Sequence, residues 1–317
     1  MTRIGRRAFI QGMGIAAFAA ARSWPALAQT EVPNSAGTAS PKLKAPTNAA
    51  DCHMHIYDPA RFAMPPNPRT APANASVESY RLLQRRNGTT RTVIVTPRNY
   101  GVQNDVTVDA IQRLGNARGV AVLHPDVTDA ELKRLNDSGI RGTRFSLGDP
   151  TSAATTVDMV EPLSKRIADL GWHAQFNVDG DQIVAMEALL NRLPCSIVFD
   201  HLAHPNLPAG IAHASHTIVR RLIDKGKTWV KLSGAYSNTM VGPPYPDATK
   251  IAREFVRAAP ERLVWGSDWP HPSEAPGKKP DDAALFDLLA VWAPDEAVRN
   301  RILVANPETL YGFPRSS

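Results

Sequence analysis

Cysteine is scarce: Cys52 and Cys195 are the only two in 317 residues. A framework of several disulfides is therefore excluded, and a single Cys52–Cys195 bridge is the alternative to two free thiols. Both residues fall in expected strands, where they read as buried free thiols even in an oxidising compartment. Beyond the first 28 residues there is no long apolar run, so no later segment is expected to cross a bilayer. Nor is there a long basic run past the N-terminus, and nucleic-acid binding is not expected. No internal repeat occurs, so the length is not built by copying a smaller unit. What is present is enough chain for one large core.

Residues 1–28 stand apart from that core. They have a basic start, a Gly/Ala-rich apolar middle and a small-residue exit at Ala26-Leu27-Ala28. This pattern predicts an export signal cleaved after Ala28. The adjacent Arg6 and Arg7, followed by Ala8-Phe9-Ile10, match the twin-arginine type, which makes the twin-arginine export machinery the expected partner of the precursor. The mature protein is then expected to be periplasmic and soluble, with no stable membrane insertion. Removing four arginines and no acidic residue lowers the formal charge from +6 by four, to +2. Residues 29–48 are polar and rich in Pro and Ser, and read as a flexible leader to a domain spanning 49–317.

From residue 49 onward, short Val- and Ile-rich runs alternate with amphipathic segments of helix length. Strands are expected at 49–55, 91–97, 118–125 and 140–147, and again at 172–178, 195–201, 228–234 and 262–268. Helices are expected at 76–88, 128–139, 156–171, 181–193 and 215–226. Ser76 and Thr128 are expected as N-caps, Glu131 as the return half of a capping box, and Gly88 and Gly139 as stops. Eight strand–helix pairs in this length predict an α/β fold, a single (β/α)₈ barrel of the TIM type. A doubly wound open sheet is the alternative, because periodicity does not show closure.

In such a barrel chemistry gathers where the strands end. Here those ends carry His53 and His55, then Arg98 with Asn99 and Tyr100, His124, Arg144 and Asn177. His201, Lys231 with Ser233, and Asp268 follow, with His271 and Ser273 just beyond. His53 and His55 alternate on one strand and so face the same way. Arg141, offset from Arg144 by an odd number, should face the outer helices. Histidines 204, 213 and 216 lie in a loop or on a helix, where exposure is the default.

The runs "DCHMH", "RGTRFS", "FDHLAHP", "KLSG", "WGSDWPHP" and "NPETLYGF", in this order across 49–314, resemble the amidohydrolase superfamily. More narrowly, they are similar to its 2-pyrone-4,6-dicarboxylate lactonase-like branch. The resemblance implies a hydrolase that opens a small anionic, carboxylated lactone. An activated water, a polarised carbonyl and a stabilised oxyanion are the chemical needs of that reaction. Asp268 is the expected base. His53, His55, His201 and Arg144 either hydrogen-bond the carbonyl oxygen directly, or the three histidines and Asp268 hold a divalent metal such as zinc. Wider superfamily members complete their metal site with a fifth-strand histidine. Here Asn177 stands near that position, and an amide is a poor zinc ligand. The reading therefore favours no cofactor, with one zinc ion as the alternative.

Arg98, Tyr100, Asn177, Lys231 and His271 are expected to bind substrate. Pyrone-dicarboxylate lactonases carry an arginine after the seventh strand, whereas this chain has Ser237 and Asn238. That departure points away from the acidic pyrone itself, toward a sugar-acid lactone or an aromatic-degradation product. Lactone isomerisation and decarboxylation would use the same rim residues, and a periplasmic solute-binding protein is the non-enzymatic alternative.

Overall fold

The computed structural model describes Met1 and residues 31–66, 71–148 and 153–315. The expected signal, residues 1–28, lies outside the described residues apart from Met1. Among the described residues, eight parallel strands pair in chain order into one sheet. They are β1 (Ala50–Met54), β2 (Arg91–Val95), β3 (Ala117–Ala121), β4 (Ile140–Ser146), β5 (His173–Asn177), β6 (Ser196–Phe199), β7 (Thr228–Leu232) and β8 (Leu263–Trp265). All eight expected strands are found, each within a few residues of its expected limits.

The sheet curls until β8 reaches β1. Asp268 N–H donates to the His53 carbonyl at 2.8 Å. Ser267 donates to the buried Asp51 carboxylate from its amide (2.9 Å) and its hydroxyl (2.6 Å). Gly266 makes this approach possible, since a Cβ there would sit 2.6 Å from His53 Cβ. The result is the nearly closed (β/α)₈ barrel that the strand–helix alternation predicts.

The outer layer comprises α1 (Val77–Asn87), α2 (Asp105–Leu114), α3 (Asp129–Asp137), α4 (Val160–Ala168), α5 (Gly180–Ala185), α6 (Glu187–Arg192), α7 (Ala214–Asp224), α8 (Pro246–Ala258) and α9 (Asp282–Trp292). Short helices α10 (Glu296–Asn300) and α11 (Asn306–Tyr311) end the chain. Ser76 caps α1, and Gly88 ends it in the left-handed conformation, as expected. Thr128 accepts from Glu131 N–H, but Glu131 does not return the bond. Its carboxylate is taken by Arg134, 2.7 Å away. The expected 181–193 helix breaks at Met186 into α5 and α6. The described residues contain no helix long and apolar enough to cross a membrane.

Residues 31–48 are not a free leader. Val32 is buried, Trp269 Nε1–H donates to Pro33 O at 2.7 Å, and Leu43 N–H donates to Asp287 at 2.8 Å. Arg86 donates to Ala39 O and Ser35 Oγ and pairs with Asp281. Low apolar content suggested a loose tether. Backbone carbonyls meeting buried donors hold it down instead.

Inside the barrel, Cys52, Val93, Val95, Val120, Val198 and Val264 form an apolar layer, closed at its lower end by Tyr311 and Phe313. Cys52 and Cys195 are buried free thiols. His173, the first residue of β5, lies in this lower half with its ring 5.4 Å from Tyr311. Burial, and secondarily Lys231, lowers its pKa to about 3. The unfolded chain therefore binds this proton more tightly than the fold does. His173 leaves stability untouched above its unfolded pKa near 6.5, and subtracts from it as pH falls from there toward 3. Unfolding free energy measured by denaturant titration from pH 7 to pH 4 should show this term, with a limiting slope of about 1.4 kcal/mol per pH unit. A His173→Gln variant should lose that part of the acid sensitivity.

Candidate active site

A shift of register in β1 between Asp51 and Met54 sets the geometry of the rim. Cys52 joins the apolar layer below, while His53 reaches Asp200 and Lys231. His55 follows on the same side. The two imidazoles meet with Nε2 atoms 3.3 Å apart. Asp268 Oδ1 lies 3.5 Å from each of them and 3.8 Å from His201 Nε2. That oxygen is buried and makes no hydrogen bond.

His201 arrives by an unusual route. After β6, His201, Leu202, Ala203 and His204 have φ of 46°, 59°, 59° and 37°. Four consecutive left-handed residues, none of them glycine, cost about 1–2 kcal/mol each. The turn is held by Ala203 N–H to Asp200 O and by Asn238 Nδ2 to His201 O. It leaves Asp200 under the rim and brings both His201 and His204 to the cavity. Gly234 makes room for it: at φ +60°, a Cβ there would lie 2.9 Å from His201 Nδ1.

Beneath the imidazoles is a polar floor. Asp200 accepts from Arg144 Nε at 2.9 Å and Gln175 Nε2 at 3.2 Å, and lies 3.1 Å from His53 Nδ1. Lys231 Nζ donates to Gln175 Oε1 at 2.8 Å and stands 3.1 Å from His53 Nδ1. Burial pushes the Asp200 carboxyl up, but His53, Arg144 and Lys231 together hold it well below the usual range. Burial and the ammonium beside it lower His53, against the pull of Asp200. Burial likewise lowers Lys231, to about 8, against the pull of Asp200. Burial also raises Asp268, yet the imidazoles of His201, His55 and His53 outweigh it, so the carboxylate is ionised.

The tautomers follow from these partners. His55 Nδ1 faces the Val95 carbonyl at 2.7 Å, so it carries a proton, and in the neutral ring Nε2 is bare. His53 has two options. If Nδ1–H donates to Asp200, three bare acceptors converge (Nε2 of both histidines and Asp268 Oδ1), and they require a cation. If Lys231 donates to Nδ1, His53 Nε2–H closes a hydrogen bond to His55.

The donor set fits a divalent metal. Ligand atoms of His53, His55 and Asp268 lie within 4.8 Å of one another, as do those of His53, Asp200 and His201. Separations of 3.3–3.5 Å also match the edge of a tetrahedron built on bonds of about 2.1 Å. Charge argues the other way. Lys231 and Arg144 already balance Asp200 and Asp268, so a dication would add uncompensated charge to a buried centre.

A cavity of about 220 Å³ opens above the cluster. Of the expected residues, His55, Arg98, Arg144, Asn177, His201 and Asp268 line it, and Ser273 joins them. His53 lies just beneath and is fully buried. Three expected substrate contacts are elsewhere. Lys231 is buried in the floor. Tyr100 turns inward from the short turn that presents Arg98, and its hydroxyl accepts from Asp58 N–H at 2.9 Å. His271, also buried, lies behind the cavity against Tyr236 and Asp282. Arg141 does face away, bonding the Asn136 and Ile140 carbonyls. Sequence reasoning missed Tyr57, His204 and Ser237 on the cavity wall, and Tyr236, whose hydroxyl donates to Asp268 Oδ2. Only His204 left a trace, as the second histidine of "DHLAH".

Residues 50–313 match the amidohydrolase family. The chain belongs to that family. It is 31% identical, over 87% of its length and 94% of the relative's, to a 2-pyrone-4,6-dicarboxylate hydrolase of Comamonas testosteroni. It is 34% identical to a 4-sulfomuconolactone hydrolase of Rhizobium radiobacter (84% and 91% covered). It is also 32% identical to a D-galactarolactone isomerase of Agrobacterium fabrum (87% and 94%). A ligand-free crystal structure from Agrobacterium tumefaciens superposes with a TM-score of 0.81 at 29% identity, covering 89% of this chain and 99% of that one.

The close fit of Gly234 against His201 gives a test of the site's construction. A Gly234→Ala change should cost about 1–3 kcal/mol in denaturant unfolding, from left-handed strain and the displaced ring. A crystal structure of the variant should show His201 moved away from Asp268. An unshifted His201 at full stability would mean that the turn is not held from this side.

Proposed function

We propose that this amidohydrolase hydrolyses a small carboxylated lactone. The observation that carries the reading is the convergence of His53, His55 and His201 on the free oxygen of an ionised Asp268, under a cavity walled by Arg98 and Arg144. Relatives that open anionic lactones support the substrate class.

Asp268 Oδ1 takes a proton from water as the oxygen of that water attacks the lactone carbonyl. Charge growing on the carbonyl oxygen is met by the Arg144 guanidinium and by an imidazole N–H of the cluster. The ring C–O bond then breaks, and Asp268 returns its proton to the leaving alkoxide, giving a hydroxy acid. Arg98 suits the substrate carboxylate. If His53, His55, His201 and Asp268 held a divalent ion, it would supply Lewis-acid polarisation of the carbonyl and acidify water. The balanced charges of the floor favour the route without it. Residues 1–28 support export of the enzyme to the periplasm through the twin-arginine route, with cleavage after Ala28. N-terminal sequencing of periplasmic protein tests that part.

A second reading is isomerisation, in which a substrate hydroxyl replaces water as nucleophile. The isomerase among the relatives favours it. Turnover of a lactone panel in ¹⁸O-water separates the two: hydrolysis places the label in the product carboxylate, and isomerisation does not.

Asp268→Asn should lower kcat by about 10²–10⁴-fold. Arg98→Gln should raise KM for carboxylated lactones with little change in kcat. Activity should survive chelation in protein shown to be metal-free by elemental analysis. Stoichiometric zinc whose removal abolishes turnover would overturn the metal-free route. Absence of turnover across the panel, with tight ligand binding, would restore the solute-binding alternative.

A further inference from the structure

Behind Asp268 runs a chain of polar groups, half-buried at Tyr236 and buried beyond it, that the reaction does not use. Tyr236 donates its hydroxyl proton to Asp268 Oδ2. The same hydroxyl oxygen lies 3.2 Å from His271 Nδ1, and His271 Nε2 lies 3.1 Å from Asp282 Oδ2. His271 and Asp282 are fully buried. Both ends of the chain are anchored. His271 N–H donates to the Asp268 carbonyl at 2.7 Å, Lys279 Nζ donates to the His271 carbonyl at 2.7 Å, and Asp282 N–H donates to Ser35 Oγ at 3.2 Å.

We infer that Asp282, His271 and Tyr236 form a positioning relay that decides which oxygen of Asp268 does the chemistry. The inference rests on Asp268 being the reactive carboxylate. Proton accounting gives the direction. Tyr236 has one proton and gives it to an ionised carboxylate, which leaves its oxygen as the acceptor that faces His271 Nδ1. His271 faces Asp282 through Nε2, and this contact between two buried groups fixes the ring. Oδ2 of Asp268 is thereby committed, and Oδ1 is left turned toward the imidazoles with no hydrogen bond of its own. Asp268 also has φ of 62°, a left-handed conformation that a free aspartate would seldom hold. The relay supplies side-chain bonds that hold it there. Tyr236, His271 and Asp282 are positioning residues: among the three, only Tyr236 touches Asp268 through its side chain, and it touches the oxygen that does not react.

The test is a double-mutant cycle on the full enzyme. Tyr236→Phe should lower kcat by up to about 10²-fold and leave KM within about twofold. Asp282→Asn should lower kcat by about tenfold in the native background and by nothing further in Tyr236→Phe, because its effect passes through that hydroxyl. Should Asp282→Asn not fold, His271→Asn serves in its place, since its amide can still donate to Tyr236 but no longer reaches Asp282. Multiplying losses, or losses confined to KM, would overturn the relay. A readout without turnover is the far-downfield proton resonance of the Tyr236–Asp268 hydrogen bond. It should vanish in Tyr236→Phe and move in Asp282→Asn, and a resonance unmoved by Asp282→Asn also overturns the relay. Native protein that opens no lactone but shows the shift would sink the proposed activity and keep the relay.

Discussion

The seam between β8 and β1 is the constraint on which the site depends. His53 and Asp268 come from opposite ends of the domain, and they meet because Gly266 lets the two backbones approach and Asp268 N–H binds the His53 carbonyl. Asp51, one face over, is tied to Ser267 by two hydrogen bonds. Closing the barrel and assembling the reactive cluster are therefore one event. A change that opened the seam would also separate the base from its imidazoles.

The charge arrangement below the seam follows from burial. A lysine and an arginine taken out of water need carboxylates, and Asp200 serves both. With Asp268 above it, the centre holds two positive and two negative groups. Above this floor, the ligand atoms of His53, His55 and Asp268 lie close enough to share one ion.

Strain is concentrated where the chemistry is. The four left-handed residues 201–204 and the left-handed Asp268 lie at the ends of β6 and β8, each clamped by side chains from a neighbouring element. Asn238 holds the first turn, while Tyr236 and the 281–282 corner hold the second. The N-terminal strap at 31–48 reaches the same corner through Ser35 and Arg86. A segment that reads as a tether thus buttresses the end of the barrel strand that carries Asp268.

The alternation of Val-rich runs with amphipathic helices determined the eight strand–helix units, because periodicity and capping are local properties, while closure was decided at the β8–β1 seam. The rim positions of His53, His55, Arg144, His201 and Asp268 followed from the same count, since strand ends in a barrel share one face. Tertiary structure decided what local pattern could not express. Tyr100, Lys231 and His271 all sit at or near strand ends, but which way each turns depends on partners on other elements: Asp58, Gln175 and Asp282. His204 was hidden because its direction rests on left-handed backbone that no propensity favours. Tyr236 and Asp282 were invisible as site residues because their roles exist only through hydrogen bonds across three elements. Residue type and spacing are encoded locally, but burial and pairing arise only when the barrel closes.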